Sequence, residues 1–343
     1  MIYLDSAATS LLKPPSVARA TAMAVRTMAS PGRGGHSAAM RAADTVFACR
    51  EAAAELFHVP EPERVVFTMN ATHALNIAIH SLVSPCDPVV ISGYEHNSVT
   101  RPLHALGAQV RVAESPLFDP EAAVSAFRRA LPGAKAALCT MVSNVFGYLL
   151  PVREIAELCA AAGVPLIVDA SQAAGCVAFD AAALGAAFVA MPGHKGLLGP
   201  QGTGILLCFA QPKPLLCGGT GSQSVLQDMP EELPDRLEAG THNVPGIAGL
   251  LAGIRYLSAQ GVEHIERRER WLAQRLMAQL RAQPRLEVFA SPDPACQTAV
   301  LSVRCRDMDS ELLAQELARY GIAVRAGLHC APLAHRTAGT LQT

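Results

Sequence analysis

Pro165-Leu-Ile-Val-Asp-Ala-Ser-Gln172 and, a little further on, Ala187-Phe-Val-Ala-Met-Pro-Gly-His-Lys-Gly196 set the reading of the whole chain. Each is a short apolar run that ends abruptly in polar or glycine residues. A run of four or five apolar residues without polar alternation fits a strand buried on both faces, as in a parallel sheet. Similar runs occur at Val65–Met69, Val89–Gly93, Gln109–Ala113, Ala136–Val142 and Thr203–Cys208, which with Pro165–Asp169 and Ala187–Met191 makes seven strands. Helical patterns fall between them, such as Arg153–Ala162, stopped by Gly163-Val-Pro165. Strand and helix in alternation predict an α/β protein with a mainly parallel sheet covered on both faces.

Past Thr241-His-Asn-Val-Pro245 the pattern changes. Ile247–Gln260 and Glu263–Gln283 read as longer helices, the second with Ile265, Leu272, Leu276 and Leu280 on one face. Strands are expected at Glu287–Ala290, Thr298–Arg304 and Ala323–Arg325, and a helix at Ser310–Tyr320. This predicts a smaller α+β domain. The expected division is a large domain over 12–245 and a small one built from 1–11 and 246–343.

The chain has 343 residues, half of them hydrophobic, and a net charge of −1. That is long enough for a large buried core, and the balanced charge argues against nucleic acid as a partner. The arginines at 267, 268, 270, 275 and 281 are balanced by Glu263, Glu266 and Glu269, so they read as a solvated helix face. The start, Met1-Ile-Tyr-Leu-Asp-Ser6, has neither a basic nor a long apolar segment. No apolar run reaches the roughly 18 residues that span a bilayer. A cytoplasmic protein without membrane contact is expected. None of the 10 cysteines forms a C-x-x-C pair, so no metal site is expected, and most should be buried and inert.

Open parallel sheets bind ligands beyond the carboxyl ends of their strands. Those ends deliver Ala71-Thr72-His73, Glu95-His96-Asn97, Ser143-Asn144, Asp169-Ala-Ser-Gln172 and Gly193-His-Lys-Gly196 to one edge. Of the four lysines, Lys13, Lys135 and Lys213 sit beside prolines or in a Pro-Gly turn and read as exposed loop positions. Lys195 alone ends an apolar strand between glycines, which would allow close approach to a ligand. A lysine in a partly apolar site has a lowered pKa, and its neutral amine can form a Schiff base. Asp169 would be costly as a lone buried carboxylate; it is either a helix cap or the partner of a cation such as the ring nitrogen of pyridoxal phosphate (PLP). His96 could stack on that ring and move protons, or serve only as a helix-start histidine. Thr72 opens a helix whose amides suit a phosphate, or is a plain cap. Cys330, in Arg325-Ala-Gly-Leu-His-Cys-Ala-Pro332, lies beside a histidine and near an arginine, the setting of a reactive thiolate. Gly218-Gly-Thr-Gly-Ser222 matches no nucleotide fingerprint and reads as a loop.

Together with Tyr3-Leu-Asp-Ser-Ala-Ala8, Gly93-Tyr-Glu-His-Asn-Ser98, Glu238-Ala-Gly-Thr241 and Arg325-Ala-Gly-Leu-His-Cys330, these segments resemble class V aminotransferase-fold enzymes. The resemblance is to cysteine desulfurases of the selenocysteine-lyase-like branch. It implies the PLP-dependent transferase fold type I and a cytoplasmic homodimer with shared sites. It also implies conversion of L-cysteine to L-alanine, with sulfur passing as a persulfide on Cys330 to a small acceptor protein. Lys195 would join the cofactor, Asp169 face the pyridinium nitrogen and His96 stack on the ring. Gln172 and Asn144 would contact the phenolic oxygen or the substrate carboxylate. Ala71, Thr72 and His194 would surround the phosphate, and Thr241 would reach the phosphate of the neighbouring subunit. Selenocysteine lyase or another PLP β-lyase, acting on L-selenocysteine or a related amino acid, is the alternative within enzymes; a catalytically impaired PLP-binding homologue is the other.

Two departures from the pattern stand out. Pro192 replaces a serine that commonly touches the phosphate, which places more weight on His194, backbone amides and Thr241. The sequence also ends at Thr343, where relatives continue with a strand, a helix and an arginine that clamps the substrate carboxylate. Arg325 is the candidate replacement, against the reading of a structural ion pair.

Overall fold

The computed structural model describes residues 1–32 and 34–341. In chain order the elements are β1 (Ile2–Tyr3), α1 (Pro15–Thr27), α2 (Ser37–Phe57), β2 (Val65–Thr68), α3 (Ala71–Leu82), β3 (Pro88–Ser92) and α4 (Asn97–Ala105). They continue with β4 (Gln109–Ala113), α5 (Pro120–Ala130), β5 (Ala136–Thr140), α6 (Val152–Ala161), β6 (Leu166–Asp169), β7 (Phe188–Pro192) and β8 (Gly204–Cys208). The remainder is α7 (Val244–Gln260), α8 (Val262–Arg281), β9 (Leu286–Phe289), β10 (Ser302–Cys305), α9 (Ser310–Arg319), β11 (Ile322–Ala323) and α10 (Pro332–Thr337).

The seven expected strands form one sheet in the order β2-β8-β7-β6-β5-β3-β4. β8 runs against both its neighbours, and every other pairing is parallel. The carboxyl ends of β2, β3, β5, β6 and β7 therefore share one edge. Side chains alternate faces along each strand, and the two halves of the core follow that alternation. Val65, Phe67, Val90, Ala137, Leu166, Val168, Val189 and Leu207 pack on one face with α2, α6 and α7. Val66, Val89, Ile91, Leu138, Ile167, Phe188 and Leu206 pack on the other with α3 and α4. Both faces of the central strands are dry, which explains why they read as unbroken apolar runs; the edge strand β4 is largely exposed and alternates Gln109 and Arg111 with valines. Burying each Val, Leu, Ile or Phe contributes about 1.5–3 kcal/mol, so the central sheet is the stiffest support available for a site at its edge.

Helix starts at that edge are capped by the sequence. Asn70 accepts from the His73 amide at 2.9 Å, which starts α3 there and assigns the cap to Asn70 and not to Thr72. The His96 ring accepts from the Ser98 amide at 3.0 Å and starts α4.

The carboxyl-terminal part differs from expectation in its boundaries. The strand expected at 298–304 is β10 at 302–305, because Gln297 and Thr298 are bound to the Phe146–Gly147 turn. The strand expected at 323–325 is β11, which pairs in parallel with β1: Ile2 opposite Ile322 and Tyr3 opposite Ala323. The first residues of the chain carried no strand signal of their own, and only that pairing makes them one. Helix α8 also departs from the amphipathic reading. Leu272 and Leu276 are exposed, and only Ala273 on this helix is buried. Arg268 and Arg275 each lie over the Trp271 ring at 4.7 Å on the solvated face expected, whereas Arg270 pairs with Glu266 at 2.7 Å and is largely covered, its Nε buried without a partner among the described residues. Among the described residues no helix is long and apolar enough to cross a membrane, and no group of His, Cys, Asp and Glu could hold a metal ion.

Candidate active site

Lys195 follows β7 in a tight turn whose shape depends on glycine. A Cβ on Gly196 would meet the Ala174 carbonyl oxygen at 2.3 Å, and one on Gly193 would meet Thr203 Oγ1 at 2.1 Å. The close approach is thus to the protein's own backbone and side chains, where a ligand was expected. It pulls the 193–196 turn against the 170–176 turn that follows Asp169. Sheet pairing already sets Asp169 beside Ala190, and the Ala170 amide bonds to the Ala190 carbonyl at 2.9 Å.

The Lys195 amine has no hydrogen-bond partner among the described residues. Burial pushes its pKa down, and the charge on Arg325 pushes the same way, while Asp169, Asp5 and Cys330 oppose. Lysine, arginine, two carboxylates and the thiol therefore share one electrostatic neighbourhood, assembled from both ends of the chain. Asp169 is buried; Oδ1 accepts from the Ser171 amide at 2.9 Å, and Oδ2 accepts no hydrogen bond among the described residues. The residues after Asp169 form turns and no helix, so the helix-cap reading fails. A buried carboxylate with one free oxygen, within electrostatic reach of an amine whose pKa burial lowers, suits a ligand that offers both an aldehyde and a protonated ring nitrogen.

His96 joins a short relay. Its Nδ1 accepts the Ser98 amide and lies 2.9 Å from Ser98 Oγ, which is 2.7 Å from Thr72 Oγ1. Because Nδ1 accepts, the ring's proton is on Nε2. Burial lowers the His96 pKa, partly offset by the charge of Asp169. Ala71 is buried in the first turn of α3 and Thr72 beside it is exposed, so the helix start faces the same edge.

Cys330 is exposed, at the end of a tight loop. His329 and Cys330 both adopt the left-handed conformation, with φ of 50° and 56°. Non-glycine residues rarely hold it without support. Asn144 Nδ2 donates to the His329 carbonyl at 2.8 Å, and the Asn97 amide donates to the Cys330 carbonyl at 2.8 Å. Asn144, expected at the cofactor or substrate, spends its amide on this loop. His329 stacks on His335 with ring centroids 6.2 Å apart, and burial pushes its pKa down to about 4. The histidine beside the thiol is therefore neutral near pH 7, and the positive charge in the loop belongs to Arg325.

Gln172 Nε2 donates to the Ala7 carbonyl at 2.9 Å, which brings the amino-terminal segment over the site. His194 Nδ1 lies 2.9 Å from Thr9 Oγ1 on the same segment. Lys13 is half-buried, contrary to the reading as an exposed loop lysine, and its ammonium reaches the His194 carbonyl at 3.3 Å. Lys13 between two leucines and two prolines carried no signal of this contact; it comes from folding the first dozen residues back on the Lys195 turn. Thr241 is exposed, and its hydroxyl makes no hydrogen bond among the described residues. Arg325 is also exposed and makes no ion pair among the described residues, so the structural-pair reading of it fails. Glu95, placed at the edge beside His96 by the sequence but given no role there, is fully buried: Oε1 accepts from the Thr140 amide at 2.7 Å and from Ser92 Oγ at 2.5 Å, while Oε2 has no partner among the described residues.

Residues 2–342 match the family described as Aminotransferase class-V. A probable cysteine desulfurase of Methanothermobacter thermautotrophicus is 34% identical, with 99% of this chain and 89% of the relative covered. A cysteine desulfurase of Serratia proteamaculans is 31% identical over 96% of this chain and 84% of the relative. Among solved structures, the apo cysteine desulfurase of Thermococcus onnurineus superposes with a TM-score of 0.90 at 29% identity, covering 98% of this chain and 87% of that one. A cysteine desulfurase of Escherichia coli, in an S-sulfonic acid form, gives a TM-score of 0.87 at 28% identity, covering 99% and 87%. With its sheet edge, its lysine and its carboxylate in place, this chain belongs to the class V aminotransferase family of PLP-dependent, fold type I enzymes.

Proposed function

We propose that this protein converts L-cysteine to L-alanine and carries the released sulfur on Cys330. The observation that carries the proposal is the convergence of Lys195, with an unpartnered amine, Asp169, with an unpartnered oxygen, and exposed Cys330 at one sheet edge. Cysteine desulfurase relatives over nearly the whole chain support the same activity.

When bound, PLP supplies an electron sink to the carbon it activates. Lys195 would be the residue that holds it, and its Nζ would take the proton from the substrate α-carbon. The lowered pKa favours the neutral amine that both tasks need. Asp169 would hold the ring nitrogen's proton through Oδ2. His96 would cover the ring, with Nε2–H directed away from the Ser98 relay. The amides of Ala71 and Thr72 and the ring of His194 would take the phosphate. Gln172 would keep its remaining capacity for the phenolic oxygen. Asn144 positions the Cys330 loop, and Arg325 supplies the cation for the substrate carboxylate. Cys330 Sγ, as thiolate, attacks the substrate sulfur: an S–S bond forms, the substrate Cβ–S bond breaks, and its electron pair stays with Cβ, which gains a proton as alanine forms. The persulfide then passes to a small acceptor protein.

The protein acts in the cytoplasm as a homodimer in this reading. Thr241, exposed and without a hydrogen-bond partner for its hydroxyl among the described residues, would complete the phosphate site of the neighbouring subunit. Residues 12–245 would form the large domain, with 1–11 and 246–343 the small one; 342 and 343 lie outside the described residues.

Borohydride reduction of the cofactor-loaded protein, followed by peptide mapping, should modify Lys195. L-cysteine should yield alanine, and Cys330→Ala should keep the cofactor's visible absorbance while losing sulfur transfer. Unmodified Lys195, or normal desulfuration by Cys330→Ala, would overturn the reading.

A further inference from the structure

The His194 carbonyl, on the peptide that leads into Lys195, collects an unusual number of donors. The Ser10 amide lies at 3.2 Å, Ser10 Oγ at 3.0 Å, Thr9 Oγ1 at 3.2 Å and Lys13 Nζ at 3.3 Å. A carbonyl oxygen has two lone pairs, so not all four can be made well. The geometry decides among them. Lys13 Nζ sits 2.6 Å from Ser10 Oγ and 3.0 Å from the Ser10 carbonyl. An ammonium has no lone pair, so it must donate to Ser10 Oγ, and the Ser10 hydroxyl proton must then point elsewhere, to the His194 carbonyl. With the Ser10 amide, that fills the oxygen.

The Thr9 hydroxyl is thereby left its shorter alternative, His194 Nδ1 at 2.9 Å. If Thr9 donates to Nδ1, the imidazole proton is on Nε2. The ring itself is neutral: burial, helped by the charges of Lys195 and Lys13, pushes its pKa down to about 4. A neutral imidazole has a single N–H, so its placement settles whether Nε2 can donate at all. Nε2 makes no hydrogen bond among the described residues.

We propose that Lys13 is a positioning residue: through Ser10 and Thr9 it fixes the Nε2–H tautomer of His194, and so keeps a donor ready for the phosphate of the cofactor. This rests on His194 being a phosphate ligand, as proposed above. Without the ammonium, the Ser10 hydroxyl is free to turn, a carbonyl lone pair opens to Thr9, and His194 Nδ1–H can donate to Thr9 Oγ1 instead. Nε2 then presents a lone pair to a dianion.

The test compares cofactor retention in Lys13→Met and Lys13→Arg with wild type, for PLP and for pyridoxal, which lacks the phosphate. Lys13→Met should weaken PLP about tenfold, as loss of one charge-assisted hydrogen bond does, and leave pyridoxal unchanged. Lys13→Arg should recover most of the loss. Ser10→Ala breaks the same relay without removing charge and should give the same selective weakening, which covers the case that Lys13→Met does not fold. Nitrogen-15 spectra of the His194 ring in cofactor-free protein should show Nε2–H in wild type and a tautomer mixture in Lys13→Met. Equal weakening of both ligands, no weakening, or an unchanged Nε2–H tautomer in Lys13→Met would each overturn the proposal. Failure of wild type to link PLP to Lys195 would instead sink the proposed function and leave the tautomer assignment to the nitrogen spectra.

Discussion

Replacing Glu95 with Gln should make the protein less sensitive to rising pH, and by an amount the structure sets. The carboxyl is fully buried between β3 and β5. Burial lifts its pKa from 4.5 to about 7, aided by the charge of Asp169 and resisted by the hydrogen bonds from Ser92 and Thr140. The folded chain therefore keeps a proton that the unfolded chain sheds above about pH 4.5. Stability is fully present below that pH, falls as the pH climbs toward about 7, and levels off once the folded state ionises too. The decline amounts to on the order of 3 kcal/mol. Gln cannot titrate; its Oε1 can accept from Thr140 and Ser92, and its amide nitrogen takes the place of the unpartnered Oε2. Urea unfolding of both cofactor-loaded proteins from pH 4.5 to 8 reads the difference directly, since other titrating groups cancel between them. The variant should gain about 3 kcal/mol relative to wild type across that range. A difference that stays level within about 0.5 kcal/mol would refute the picture of a buried, protonated Glu95.

Arg50 and Glu238 form a buried pair, with Arg50 Nη1 donating to Glu238 Oε1 at 2.7 Å and the Phe67 amide donating to the same oxygen at 2.6 Å. Arg50→Met should destabilise the fold by about 3–5 kcal/mol in denaturant melts, because it leaves the buried Glu238 carboxylate with only the Phe67 amide and His242, whose Nε2 lies 3.2 Å from Oε2; Arg50→Lys should recover only part of that, having no bidentate fork. Asn144→Ala removes the support of the left-handed His329 and should lower sulfur transfer about tenfold by loosening the loop, with little change in the cofactor's visible absorbance. A thiol reagent on the folded protein should label Cys86, Cys217 and Cys330 rapidly and spare Cys49, Cys139, Cys159, Cys208 and Cys305. Burial pushes the thiols of Cys49 and Cys159 up to about 12, which reinforces their protection. Rapid labelling of any of those five buried thiols would contradict the packing.

The sheet was legible because its central strands are dry on both faces, as the run Leu166-Ile-Val168 shows. Strand ends then placed Thr72, His96, Asn144, Asp169 and Lys195 on one edge without any knowledge of contacts, since parallel strands share a direction. What stayed hidden depended on distant partners. Ile2–Tyr3 is a strand only because Ile322–Ala323 lies beside it. The Cys330 loop holds its left-handed turn because Asn144 and Asn97, far off in sequence, reach its carbonyls. Glu95 and Lys13 gave no local signal: one is defined by the dry space around it, the other by a backbone carbonyl 181 positions away. Periodicity and residue type fixed the scaffold and the reactive groups of this protein, because those follow from local chemistry. Tertiary structure decided which neighbours tune those groups, because desolvation and hydrogen bonding depend on which distant atoms the fold brings within a few ångströms.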